Sequence, residues 1–215
     1  MQLAEKYRPK TIAAFAGLEK PKRILGKFRQ HPQEDAFYLH GQSGTGKTAM
    51  AQALAAELQA QVVHVPSQRC NVQALEELRA ECAYLPLFAT WRIVLCDEAD
   101  TMTQAAQNAF LSLLDSTERP ARTIFIFTSN EEKIEDSKLE QRFISRIKPV
   151  KFSTYGLNGD ATALLRRIWE RETAERGLSL AEPDFKRILN DKGQNIRAVL
   201  QVLELRLMEE SEGEE

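Results

Sequence analysis

The sequence predicts an α/β fold: a doubly wound parallel sheet of five strands followed by a small helical domain. Three observations carry this expectation. Short apolar, strand-forming runs alternate with helix-forming stretches as far as Phe152. A glycine-rich loop follows the first of those runs. Beyond Phe152 the strand signal stops and only helical spacing remains.

The strands read as AFYLH (36–40), QVVHV (61–65), RIVLC (92–96), TIFIFT (123–128) and PVKF (149–152). Four of them are nearly continuous apolar runs, as strands buried on both faces of a parallel sheet require. Between them, TAMAQALAAELQA is rich in the strong helix formers Ala and Leu. The stretch VQALEELRAECAYL sets Leu75, Leu78, Cys82 and Leu85 at helical spacing. Strands alternating with helices imply a sheet covered on both faces. The polar stretch STYGLNGD reads as a linker. Past it, Asp160 is placed to cap a helix running to Arg176, with Gly177 as its stop. Pro183 suits the first turn of a second helix, and Ile196, Val199, Leu200, Leu203 and Leu207 share one face of a third. The expected organisation is an α/β domain over 1–153, a helical domain over 154–208 and a solvated acidic tail over 209–215.

At 215 residues the chain is one large domain or two small ones. With 43% hydrophobic and 28% charged residues the composition is that of an ordinary globular protein. The formal charge of −2 argues against coating nucleic acid by bulk attraction. A local basic surface stays open, because residues 1–30 hold eight basic side chains against Glu5 and Glu19. Three cysteines without CxxC spacing argue against a disulfide framework and against zinc, and suit a reducing compartment. No apolar run approaches the ~20 residues of a membrane span. MQLAEKYRPK has no apolar signal core. The expectation is a cytoplasmic protein.

The segment GQSGTGKT fits G-x-x-x-x-G-K-[ST]. Its loop Gly41, Gln42, Ser43, Gly44, Thr45 and Gly46 would curl backbone N–H groups around a phosphate, with no Cβ in the way at the glycines. The helix that follows, from Lys47 through Thr48 and Ala49, offers its positive end to the anion. Lys47 would reach the β- and γ-phosphates in binding and in catalysis, and the Thr48 hydroxyl would ligate Mg²⁺. The run IVLCDEAD places Asp97 at the tip of a buried strand, where it can hold the metal through water. Glu98 beside it can activate an attacking water. The letters DEAD also occur in RNA helicases, but those need a second nucleotide-binding-like domain.

With these motifs the chain resembles the AAA+ ATPases, and among them the small subunits of clamp loaders, replication factor C and its bacterial relatives. EKYRPKTIAAFAG is similar to that group's opening signature, and DEADTMTQAAQNAFLSLLDS to its segment after the acidic pair. The resemblance implies that Tyr7, Arg8 and Pro9 pack near the adenine of ATP. It makes Asn130, at the end of TIFIFTSN, a sensor of the γ-phosphate; by its residues alone SNEE reads equally as a helix cap. It makes Arg146 of Ser145-Arg146-Ile147 the arginine that enters a neighbouring subunit's site, worth roughly 10³–10⁵ in rate. The family's cysteine is absent there, and Arg142 stands as the alternative. Arg197 in GQNIRAVL corresponds to the second sensor, reaching the γ-phosphate from the helical domain. Arg69, in the loop PSQRCNV, is the candidate contact to DNA.

Two features depart from the family. Leu111-Ser112-Leu113-Leu114 stands where basic residues are common. The sequence also stops without a third, helical collar domain, so it reads either as a truncated piece or as a short AAA+ protein assembling by its ATPase faces. The implied function is Mg²⁺-dependent ATP hydrolysis at interfaces with other AAA+ subunits, acting on DNA and a sliding clamp. Two alternatives remain at this stage. One is a homo-oligomeric regulator of a mobile element or plasmid, or a protein remodeller. The other is a nucleotide-gated binding module with little turnover.

Overall fold

Five parallel strands form the centre of the computed structural model, which describes residues 2–66, 72–115, 117–136, 138–153 and 158–211. They are β1 (Asp35–His40), β2 (Ala60–His64), β3 (Trp91–Cys96), β4 (Thr123–Ser129) and β5 (Lys148–Lys151). Their order across the sheet is β2-β3-β4-β1-β5. Each lies within about one residue of the run that predicts it. The central strands β1 and β4 are buried throughout, while the edge strand β2 is partly exposed.

Successive side chains of a strand point to opposite faces, and both faces are covered. On one face Tyr38, Val94, Phe125 and Phe127 pack under α4 (Val72–Cys82), α5 (Gln104–Leu114) and α6 (Gln141–Ile144). On the other, Phe37, Ile93, Ile124 and Ile126 meet α2 (Glu19–Gln30) and α3 (Lys47–Glu57). The sequence reading assigned no element to α2, where Pro21 and Gly26 interrupt the helical pattern. Phe110 of α5 is fully buried and meets Phe125, Phe127 and Phe143 edge to face.

The helical unit comprises α7 (Asn158–Arg176), α8 (Phe185–Asp191) and α9 (Ile196–Ser211). Several expectations are corrected here. Asp160 lies in the first turn of α7 rather than at its cap. Pro183 precedes α8, whose cap is Asp184: its carboxylate accepts the Arg187 N–H at 3.0 Å and starts the helix one residue later. Residues 209–211 belong to α9 rather than to a tail. The linker residues 154–157 and the terminal residues 212–215 lie outside the described residues.

The first residues also depart from the expected division. Leu3, in α1 (Leu3–Lys6), is buried among Leu165, Trp169, Leu203 and Leu207 of the helical unit. Lys6 pairs with Glu172 at 2.6 Å and with Glu175, and the Tyr7 hydroxyl donates to Glu172 at 2.8 Å. Arg8 then reaches Gln52 of α3 at 2.8 Å. The segment is a strap from the helical unit to the sheet domain. The charges of α1 and α7 dictate this docking, which helical periodicity alone does not reveal.

Among the described residues no helix is long and apolar enough to cross a membrane.

Two outcomes follow. Phe110→Ala empties a ring site enclosed by three other rings and should cost about 3–5 kcal/mol, read from urea unfolding midpoints. The strap should also be acid-sensitive. Hydrogen bonds from Lys6 and Arg171 hold the Glu175 carboxyl down at about 2, from an ordinary 4.5. A depressed carboxylate contributes stability that is complete above its unfolded value and is lost as pH falls through its folded value. Between pH 4.5 and 2, hydrogen-exchange protection of the Tyr7 amide should therefore fall. In Lys6→Ala it should fall less over that window, from a lower start.

Candidate functional site

The loops at the carboxyl ends of the strands meet above the sheet, the usual place for a ligand on a parallel sheet. Gly41 follows β1 with φ of 139°, and a Cβ on it would fall 2.2 Å from the Phe152 carbonyl oxygen. Only glycine lets β1 turn out of the sheet so close to the chain leaving β5. At Gly44, φ is 76° and a Cβ would strike the Asn195 side-chain oxygen at 1.9 Å. That oxygen also accepts the Ala198 N–H at 3.1 Å, so Asn195 starts α9 and rests against the loop.

Lys47 opens α3, which no side chain caps, so its first N–H groups face the loop. The Lys47 ammonium is buried and donates to the carbonyl oxygens of Gly41 and Gln42, both at 2.8 Å. Burial pushes its pKa down to about 8; Asp100 and Asp97 oppose the fall, and Arg197 adds to it. A phosphate would supply the negative charge this buried lysine lacks. Gln42 donates to Glu132 at 2.6 Å and Ser43 is exposed. The Thr45 hydroxyl closes the loop on the Gln42 carbonyl at 2.8 Å.

The Asp97 carboxylate gathers three donors. Its Oδ1 accepts the Thr48 hydroxyl at 2.8 Å and the Thr128 hydroxyl at 2.9 Å, while its Oδ2 accepts His64 Nε2–H at 2.8 Å. Because the Thr48 hydroxyl donates to Asp97, its oxygen lone pairs stay available to accept or to ligate. A hydroxyl and a single carboxylate suit Mg²⁺, which keeps several waters and takes phosphate oxygens as its other ligands. Among the described residues no group of three His, Cys, Asp or Glu could hold a metal by itself.

Glu98 follows with a left-handed backbone, φ 56°, and an exposed side chain. Its N–H donates to the Thr128 hydroxyl at 3.2 Å, which aims it beside Asp97. Asn130 sits at the end of β4 and is exposed. It caps no helix, since the next turn begins only at Ile134.

A largely apolar pocket adjoins the loop. Tyr7, Arg8, Pro9, Phe15, Leu18 and Ala49 line one side, and Leu164, Ile168, Gln194, Ile196, Arg197 and Leu200 of the helical unit line the other. Gly44, Thr45 and Gly46 form its floor toward the phosphate loop. The lining is largely apolar on both sides and opens onto the glycine-rich loop that precedes Lys47.

Arg146 lies elsewhere. It precedes β5, whose Lys148 pairs with Phe37 near the start of β1. Its guanidinium donates to the Arg142 carbonyl at 2.8 Å and to Asp115 at 3.5 Å. From Asp35 to His40 a strand rises about 16 Å, so Arg146 is at the opposite end of the sheet from Lys47. Arg142 is more exposed and pairs with Glu140 at 3.2 Å. Arg69 falls among residues 67–71, outside the described residues.

Sequence reasoning passed over His64, Thr128, Asn195 and Phe15. Thr128 carried a signal: it ends an apolar run with a hydroxyl. His64 carried none, because its meeting with Asp97 depends on the pairing of β2 with β3.

Residues 37–149 match the family described as ATPase family associated with various cellular activities (AAA). Among curated relatives, replication factor C subunit 3 of Blastobotrys adeninivorans is 27% identical over 93% of this chain and 58% of its own length. The replication factor C small subunit of Staphylothermus marinus is 30% identical over 87% of this chain and 59% of its own. The chain thus spans little more than half the length of these relatives. Among solved structures, the Thermotoga maritima RuvB Holliday junction branch migration motor superposes with a TM-score of 0.71 at 16% identity, covering 92% of this chain and 64% of that one. That likeness concerns the fold.

Gly44→Ala should weaken ATP binding about tenfold, since an L residue at positive φ costs about 1–2 kcal/mol and its methyl would displace Asn195. Titration with a fluorescent ATP analogue reads this. Gly159→Ala, where a Cβ meets nothing within 4 Å, should bind as the parent does.

Proposed function

The chain belongs to the AAA family of ATPases, and on that premise we propose that it binds and hydrolyses ATP at interfaces between subunits, as a clamp-loader-like unit acting on DNA in replication. The observation that carries the reading is the joining of Thr48 to Asp97 beside the buried Lys47. The adenine lies in the pocket under Tyr7, Arg8 and Pro9. Lys47 and the free N–H groups of α3 bind the β- and γ-phosphates. Thr48 and Asp97 would hold Mg²⁺, whose charge offsets that of the phosphate oxygens. Glu98 accepts the proton of the attacking water. Asn130 orients that water or the γ-phosphate, and Arg197 reports its presence to the helical unit.

Arg146 cannot serve its own nucleotide from the far end of the sheet. It acts on a neighbour's, where it stabilises charge on the transferred phosphoryl group. The part played by DNA and a sliding clamp rests on the replication factor C relatives. A reducing compartment suits the buried Cys82 and Cys96, neither of which is in a disulfide.

Glu98→Gln should keep ATP binding and lose turnover by about 10²–10⁴. Arg146→Ala should also bind ATP and lose about 10³ or more. Mixed together, the two inactive proteins should regain turnover, because an Arg146→Ala site with its own Glu98 receives Arg146 from an adjacent Glu98→Gln copy. A mixture that co-assembles and stays inactive would overturn the trans assignment. A rate per subunit that rises with protein concentration and again with primer-template DNA supports the full reading; indifference to DNA removes the replication part of it.

A further inference from the structure

We propose that His64 is a positioning residue for the metal-binding carboxylate: it holds Asp97 in the one orientation that serves the metal. The inference rests on the reading of Thr48 and Asp97 as the holders of Mg²⁺. It starts from the register of the sheet. β2 pairs with β3 so that His64 stands opposite Leu95, two residues before Asp97. The following N–H, of Val65, donates to the Leu95 carbonyl at 2.9 Å and keeps the end of β2 against β3. The imidazole is thereby brought to Asp97 by backbone pairing, and it reaches Oδ2 at 2.8 Å. An ionised carboxylate only accepts, so the ring nitrogen is the donor.

The geometry gives this bond a specific task. A carboxylate offers about four acceptor positions. The hydroxyls of Thr48 and Thr128 both converge on Oδ1. Both of those bonds act on Oδ1 and give Oδ2 no support. The His64 bond supplies it, so donors from β2, α3 and β4 hold both oxygens of the carboxylate. One acceptor position remains on Oδ2 for a water on the metal. The His64 side chain is about half exposed, so its packing contributes little to the fold. Outer-shell partners of this kind are worth 10–100-fold in metal affinity.

The test is binding rather than turnover. A fluorescent ATP analogue is titrated into the parent, His64→Ala and His64→Gln, first in EDTA and then over a range of Mg²⁺ concentrations. The parent should bind more tightly as Mg²⁺ rises. In His64→Ala the Mg²⁺ concentration for half of that gain should rise at least tenfold, with affinity in EDTA unchanged. His64→Gln, which keeps an N–H donor, should recover part of the loss. A loss in EDTA as large as that in Mg²⁺ would mark a general defect of the site and overturn the proposal. So would an unaltered Mg²⁺ midpoint in His64→Ala, which would leave the metal reading of Thr48 and Asp97 standing. A parent whose affinity ignores Mg²⁺ would remove the metal reading and this inference with it.

Discussion

Parallel register is the constraint on which the site depends. His40 stands opposite Ser129, and Cys96 opposite Phe127. Strands β1, β4 and β3 therefore end nearly level. The chain leaves them as Gly41, Asn130 and Asp97. A slip of one strand by one residue would turn its core residues to the other face, and the Phe110 cluster forbids that on one side of the sheet. The rings of the core thus hold Thr128 at the distance from which its hydroxyl reaches Asp97 and receives the Glu98 N–H. Core packing and site geometry are one constraint here.

The second element of design is the seam between the sheet domain and the helical unit. The apolar pocket proposed for the nucleotide lies across it. Two connections cross near that pocket. The strap of residues 3–8 is anchored by Leu3 and Tyr7 on the helical unit and by Arg8 on α3. The Asn195 side chain lies against Gly44 of the glycine-rich loop. A change in the loop is therefore felt at Asn195, at the start of α9 and two residues before Arg197. On the proposed reading, that is the route by which phosphate occupancy alters the angle of the helical unit.

Much of this was legible in the residues. The strands announced themselves because parallel strands buried on both faces are uninterrupted apolar runs. The loop 41–48 stood out because its glycines and lysine recur at the spacing that phosphate binding demands. What stayed hidden depended on tertiary pairing. His64 reads as an ordinary residue of a short strand until β2 is set beside β3. The strap reads as the start of the sheet domain until Leu3 is found among Leu165, Leu203 and Leu207. Helix α2 escaped notice because Pro21 sits in its first turn, where proline is tolerated, and Gly26 in its middle, where packing against the sheet offsets a poor propensity. The start of α8 was misplaced for a local reason: Asp184 is the better cap, and Pro183 merely precedes it.

The placement of Arg146 carries the argument one step further. Lys47 and Asp97 occupy the carboxyl end of the sheet, and Arg146 the amino end, beside β5 at its edge. A protomer that receives an arginine at one end and delivers its own from the other cannot pair with a copy by a two-fold axis that uses the same patch twice. The contact it requires is head to tail. Such contacts either close into a ring or continue as a helix, according to the rotation between neighbours. The local structure around Arg146 suits that role. Its guanidinium is held by the Arg142 carbonyl and by Asp115 rather than left free, so little side-chain entropy remains to be lost when a neighbour's phosphate arrives. On the proposed reading, each site is complete only in an assembly, and ATP turnover then reports on assembly itself.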